Sequence, residues 1–167
     1  MSNIWFISDT HFNHKNILSF VSTETNERVR SFNSVEEMNE TLVKNWNDNI
    51  KPNDKVYHLG DVIFGKDFSI LNRLNGKKRL IIGNHDDFMN KEFQFHFEKV
   101  LFWKRFKEHK FFVTHVPIFR EIGDVNVHGH LHEKSDVSPF HKNISVERTN
   151  FTPLHLDDVL KRIKGII

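Results

Sequence analysis

The 167-residue sequence predicts a single α/β domain, and three observations carry that reading. Short apolar runs alternate with segments of helical period, the pattern of strands flanked by helices. Five of those runs end in a polar cluster, and open α/β sheets place their ligands beyond the carboxyl ends of the strands. Residues 1–167 hold no internal repeat, low-complexity tract or linker, so one core is expected, with no cap domain.

The elements follow in order. Ile4 to Ser8 reads as a buried strand running into Asp9-Thr10-His11, with a helix after it over Lys15 to Val21. Ser34 and Glu37 have capping-box spacing, and Val35, Met38, Leu42 and Trp46 form an apolar stripe, so a second helix starts there. Lys51-Pro52-Asn53-Asp54 is a turn, and Lys55 to Leu59 is a strand ending at Gly60-Asp61. A short helix is expected over Asp67 to Leu74. A strand over Arg79 to Ile82 enters Gly83-Asn84-His85-Asp86, and a helix covers Asp87 to Phe97. Val100 to Phe106 and Lys110 to Thr114 read as a hairpin whose second strand delivers His115. Asp124 to Val127 leads into His128-Gly129-His130-Leu131-His132. A last strand covers Asn143 to Val146, and a helix with Leu156, Val159, Leu160 and Ile163 on one face follows.

Composition narrows the chemistry. The formal charge is +2, and the densest basic cluster, Lys77-Lys78-Arg79, suits a solvated strand edge, so no face is built to grip a long polyanion. With no cysteine, disulfide and thiolate chemistry are excluded and any metal must be held by nitrogen and oxygen. The start MSNIWFISDTH lacks a basic region and a signal-peptide core, and no stretch approaches the roughly 20 apolar residues of a membrane span. A soluble, cytoplasmic protein without a membrane partner is the expectation.

The strand ends offer two carboxylates (Asp9, Asp61), one amide (Asn84) and four imidazoles (His11, His115, His130, His132). Taken singly, Asp9, Asp61 and Asn84 suit caps or turns, and His115 suits a hydrogen-bonded core position. Together they exceed what one catalytic metal takes and suit two metals sharing a carboxylate. Oxygen and imidazole donors fit divalent Mn, Fe, Zn or Ni, and Mn2+ is the ion expected. Two metals about 4 Å apart can activate a bridging water and clamp both oxygens of an in-line displacement, which is phosphoester hydrolysis. Asp9/His11 and His130/His132 are i, i+2 pairs whose side chains share one side if the backbone stays extended. His128 has the same parity one step back, and is expected to orient a ligand or touch substrate.

In this order, Asp9-x-His11, Gly60-Asp61, Gly83-Asn84-His85-Asp86, His115 and Gly129-His130-x-His132 resemble the calcineurin-like metallophosphoesterase superfamily. Asn143 to Glu147 followed by Thr152-Pro153-Leu154 is similar to the tail of its compact bacterial and phage members. The resemblance implies a four-layer α/β sandwich, two packed mixed sheets flanked by helices. It implies one metal on Asp9, His11 and His132, a second on Asn84, His115 and His130, and Asp61 between them. It also implies that His85 stabilises the phosphoryl transition state or protonates the leaving oxygen. Many members carry an acidic partner for that histidine three residues after the bridging Asp, where this chain has Phe64. Asp86 is then the candidate to orient His85.

His14 and Arg120 are candidates for substrate contact, the arginine through a phosphate oxygen. His58 is read as packing, and His96, His109, His141 and His155 as surface. The expected activity is metal-dependent hydrolysis of phosphodiesters, from small nucleotides to nucleic-acid ends. The alternatives are a phosphomonoesterase or protein phosphatase, and a non-catalytic scaffold of the same fold.

Overall fold

The computed structural model describes residues 3–119 and 123–165. In chain order its elements are β1 (Ile4–Ile7), α1 (Val35–Asn49), β2 (Lys55–His58), β3 (Lys77–Ile81), α2 (Lys91–Phe95), β4 (Lys99–Leu101), β5 (Lys104–Phe106), β6 (Phe111–Val113), β7 (Val125–His128), β8 (His141–Asn143), β9 (Leu154–His155) and α3 (Leu156–Ile163). One mixed sheet has the order β4-β3-β2-β1-β9 and the other β5-β6-β7-β8. Within them β1 to β4 run parallel, as do β6 to β8, while β9 and β5 are antiparallel edges.

Strand alternation explains how the layers stack. In the five-stranded sheet Ile7, Val56 and Leu80 face α1 and its Met38, Leu42 and Trp46. The alternate residues Phe6, Tyr57 and Ile81 face Phe111, Val113 and Val127 of the other sheet. Both faces are therefore dry, which is why these strands read as unbroken apolar runs. Helix α1 begins where capping predicts: the Ser34 side chain accepts from the Glu37 N–H at 3.1 Å, and Glu37 reaches back to the Asn33 N–H at 2.7 Å. Helix α3 adds Val159 to the core between the sheets.

Several elements differ from expectation. The two short helices near Lys15 and Asp67 are 3-10 turns, Lys15–Ser19 and Ser69–Arg73, each without a side-chain cap to start a longer helix. Helix α2 is shorter than Asp87 to Phe97 because the Asn90 side chain caps Glu92 and Phe93 and starts it late. The strand expected over Asn143 to Val146 ends at Asn143, whose side chain accepts from the Ser145 N–H and hydroxyl and turns the chain. The largest difference is at Val100 to Phe106. β4 closes the first sheet and β5 opens the second, so Phe102 and Trp103 carry the chain from one sheet to the other. Apolar pattern cannot separate one strand from two short strands of different sheets.

Candidate metal centre

The two sheets bring their strand tips together at one end. A parallel bridge joins Ser8, after β1, to Ser145, after β8. Past β1 the backbone stays paired, Asp9 N–H to Gly60 carbonyl and His11 N–H to Asp61 carbonyl, both at 3.0 Å. The ligand candidates do not continue extended, contrary to the i, i+2 parity expected. Asp9, His11, Asp61, His130 and His132 all have left-handed backbone, φ between 47° and 68°. Each such residue costs about 1–3 kcal/mol, and this clustering concentrates strain on the very side chains that converge. The turns fold the side chains across the sheet ends. Gly129 and Gly83 make that close approach possible: a Cβ on Gly129 would overlap Ser8 and Asp9, and one on Gly83 would overlap Asp61.

Two groups of ligand atoms result, Asp9, His11 and His132, and Asp61, His115 and His130, with the atoms of each group within 4.8 Å of one another. In the first, the Asp9 carboxylate accepts the His130 N–H at 2.9 Å and the Ser145 hydroxyl at 2.9 Å. Burial pushes its pKa up, so ionisation there calls for a cation. His132 Nδ1 pairs with Glu147 Oε1 at 3.0 Å, which leaves Nε2 as its free lone pair. Glu147 in turn meets the fully buried Arg30 at 2.7 Å.

In the second group, His115 Nδ1 donates to the Leu59 carbonyl at 2.8 Å and so presents Nε2 to the centre. Around that nitrogen lie Asn84 Oδ1 at 2.9 Å, His130 Nδ1 at 3.2 Å and Asp61 Oδ2 at 3.4 Å. Asp61 Oδ2 is also 3.6 Å from His11 Nε2, so one oxygen stands between the two groups. Its other oxygen accepts the His85 N–H at 2.9 Å.

The donor set fits cations. Both ring nitrogens of the buried His11 lack a hydrogen-bond partner, an arrangement costing about 1–3 kcal/mol per orphaned group if nothing else binds it. Burial, seconded by Arg30, pulls the His11 pKa down to about 2, so the ring is a neutral donor. Burial also opposes charge on His115, yet Asp61 and Asp9 outweigh it and hold its pKa up to about 9. Several acceptors around one nitrogen demand a positive charge, supplied either by that proton or by a metal.

Of the other candidates, His85 is exposed beside the centre, its ring 5.8 Å from His11 and 5.5 Å from Phe64. Asp86 does not orient it. Its buried carboxylate instead accepts the backbone N–H groups of Asp61, Val62 and Gly83 at 2.8–3.0 Å, locking two ligand loops together. His14 is half-buried, stacked on Phe64 at 3.9 Å and 5.4 Å from His11, so it borders the centre. Arg120 lies outside the described residues. His128 cannot touch substrate here: it is 0% exposed, and opposite in parity to the inward Val127 it turns toward His141. His141, expected at the surface, is buried. His58 packs as expected, bonding Thr10 Oγ1 at 2.9 Å and the Gly60 N–H at 3.2 Å. Sequence reasoning missed the roles of Arg30 and Glu147. Glu147, an acidic residue next to a short apolar run, left a faint signal; Arg30, in a polar loop, left none.

The two mixed sheets carry at their tips two oxygen-and-imidazole clusters, each a candidate metal-ligand group. The chain belongs to the calcineurin-like phosphoesterase family, which it matches over residues 2–164. An uncharacterized protein of Methanocaldococcus jannaschii is 37% identical over 179 residues, spanning 98% of this chain and 93% of the relative. The gene 66 protein of Mycobacterium phage L5 is 37% identical over 93 residues, 52% of this chain and 41% of its own length. A solved structure of a protein of unknown function from Aquifex aeolicus superposes with TM-score 0.75 at 27% identity, covering 96% of this chain and 99% of that one. Among the described residues no helix is long and apolar enough to cross a membrane.

Proposed function

We propose that this chain is a dinuclear metal-dependent phosphoesterase, with Mn2+ the favoured ion, that hydrolyses phosphodiesters of the nucleotide type, nucleic-acid ends included. The observation that carries the reading is Asp61 Oδ2, which lies 3.6 Å from His11 and 3.4 Å from His115 and so serves both ligand groups. Two divalent ions bound there supply Lewis acidity toward the phosphoryl oxygens and lower the pKa of coordinated water. The chain's own residues do the rest. Asp9, His11 and His132 would hold one ion, Asn84, His115 and His130 the other, with Asp61 placed to serve both. His85, fixed through its backbone to Asp61 and open to solvent, stands where it can donate a proton to a leaving oxygen. Phe64 supplies an aromatic contact to His85 where an acidic partner would otherwise stand, so the ring is placed by packing instead of an ion pair.

Asn84 and His85 are exposed, so the proposed cleft is open and admits an ester with substituents on both sides of phosphorus. The test is turnover of bis(p-nitrophenyl) phosphate by purified protein with Mn2+, against an Asn84→Ala control. Metal-dependent hydrolysis absent from the control is expected. No turnover above control across Mn2+, Fe2+, Zn2+ and Ni2+ sinks the proposal. Faster release from p-nitrophenyl phosphate than from the diester moves the substrate class to monoesters.

A further inference from the structure

A cavity of about 610 Å³ adjoins the second ligand group, and Asn84 and His115 form part of its wall. Apart from Gly83 and Thr114 the rest of the lining is apolar, with Phe102, Trp103, Val116 and Ile118 among it. Phe102 and Trp103 are the crossover between the sheets, and they remain 75% and 53% exposed. Ile118 is held in place. The Ile118 N–H donates to Asn126 Oδ1 at 2.8 Å, and the Ile118 carbonyl lies 3.2 Å from His141 Nε2. The groove is therefore preformed. Among the described residues its lining has no Lys, Arg, Asp or Glu. Its size lies within the roughly 300–1,000 Å³ typical of small-molecule sites.

We propose that this groove is a subsite for a planar aromatic group carried on the phosphoester held at the centre. The inference rests on the phosphoesterase reading and names the substituent that reading leaves open. Continuity decides the occupant: a group attached to a phosphate at Asn84 and His115 is next to the groove without crossing solvent. Phe102 and Trp103 put two aromatic side chains into its lining, the kind of wall on which planar rings stack. A bare aryl ester and a nucleobase on a sugar share this chemistry, and two pairs of probes separate them.

The experiment is calorimetric titration of the Mn2+-loaded protein. One pair is phenylphosphonate against methylphosphonate, the other thymidine 5′-monophosphate against ribose 5-phosphate. In at least one pair the aromatic member is expected to bind about ten-fold tighter, in line with one base–aromatic stack. The pair that shows it identifies the source of the ring. Trp103→Ala should bring that ratio near one with the non-aromatic member unchanged, and Trp103→Phe should restore most of it. Phe102→Ala, on the same wall, gives a second reading if Trp103→Ala folds poorly.

Equal affinity within both pairs, or a preference untouched by Trp103→Ala and Phe102→Ala, overturns the subsite while leaving the phosphoesterase reading standing. A dimer in light scattering that Trp103→Ala dissociates assigns the groove to a second copy and also overturns it. Preferential binding without any turnover keeps the subsite and removes the hydrolytic reading. Failure of all four probes to bind overturns the subsite and leaves the phosphoesterase reading to its turnover test.

Discussion

The ligand group of Asp9, His11 and His132 is closed in and backed by charge, whereas that of Asp61, Asn84, His115 and His130 opens outward. Behind His132 stand Glu147 and then Arg30, an ion pair with both side chains almost wholly buried. Behind His115 stands a backbone carbonyl, that of Leu59, and in front of it lies the largely apolar groove. The difference teaches a division of labour. On the proposed function, one side would fix an ion, at the expense of burying charges, while the other would leave a face open to substrate. Asp61 and Asp86 join the sides, the first through its carboxylate, the second by holding the loops of Asp61 and Gly83 together.

Removing the shared oxygen breaks the comparison altogether. Asp61→Asn is expected to release metal from both sides and to lower kcat by at least ~10²–10³-fold, the scale for losing one preorganised group that meets transition-state charge. Elemental analysis and steady-state kinetics on the same preparation check it. A variant that keeps one full ion would show that the sides are independent.

Glu147→Gln should touch the closed side alone. Metal affinity there is expected to fall roughly 10–100-fold, the usual scale for a partner behind a histidine ligand. Arg30 is left buried without its countercharge, which costs about 3–5 kcal/mol of stability. Competition with a chelator and thermal unfolding, compared with Asn84→Ala, separate the two sides: only Glu147→Gln should lower both affinity and Tm strongly.

His58 tests how the two ligand loops are tied, since it bonds Thr10 on one side and Gly60 on the other. Burial lowers its pKa from 6.5 to about 3, so the folded protein keeps the ring neutral where the unfolded chain takes up a proton. Its contribution is fully present above pH 6.5 and is lost progressively as pH falls from there toward about 3. Urea unfolding at pH 7.5 and 5.0 should show the loss in the parent protein and a smaller one in His58→Gln. The smallest effect on the centre is expected from His128→Ala, which should leave metal content unchanged because the ring turns away toward His141.

Much of the fold was legible in the sequence because both faces of β1, β2 and β3 are buried, which writes itself as short apolar runs between helical stretches. The polar residues at their tips could be read as one site since parallel strands end together at one edge. The hairpin forms between Lys104 to Phe106 and Phe111 to Val113, but the sequence pattern draws its first strand too long, since Val100 and Leu101 belong to the other sheet. Hydrophobicity reports that Leu101 and Phe106 are at least partly buried, not to which sheet each belongs, and the crossover at Phe102 and Trp103 that shapes the groove was invisible.

By itself the sequence determined which chemical groups the strand tips carry: oxygens and imidazoles, no thiolate, in an order that resembles one family. Local composition and strand periodicity are properties of neighbours in the chain, and they suffice for that. Tertiary structure alone decided how those groups face one another. The left-handed turns at Asp9, His11, Asp61, His130 and His132, the Glu147–Arg30 pair behind His132, and the commitment of Asp86 to three backbone amides all depend on partners distant in the chain. A left-handed backbone at a non-glycine residue is unfavourable on its own and holds only where surrounding contacts impose it, so no local pattern announces it.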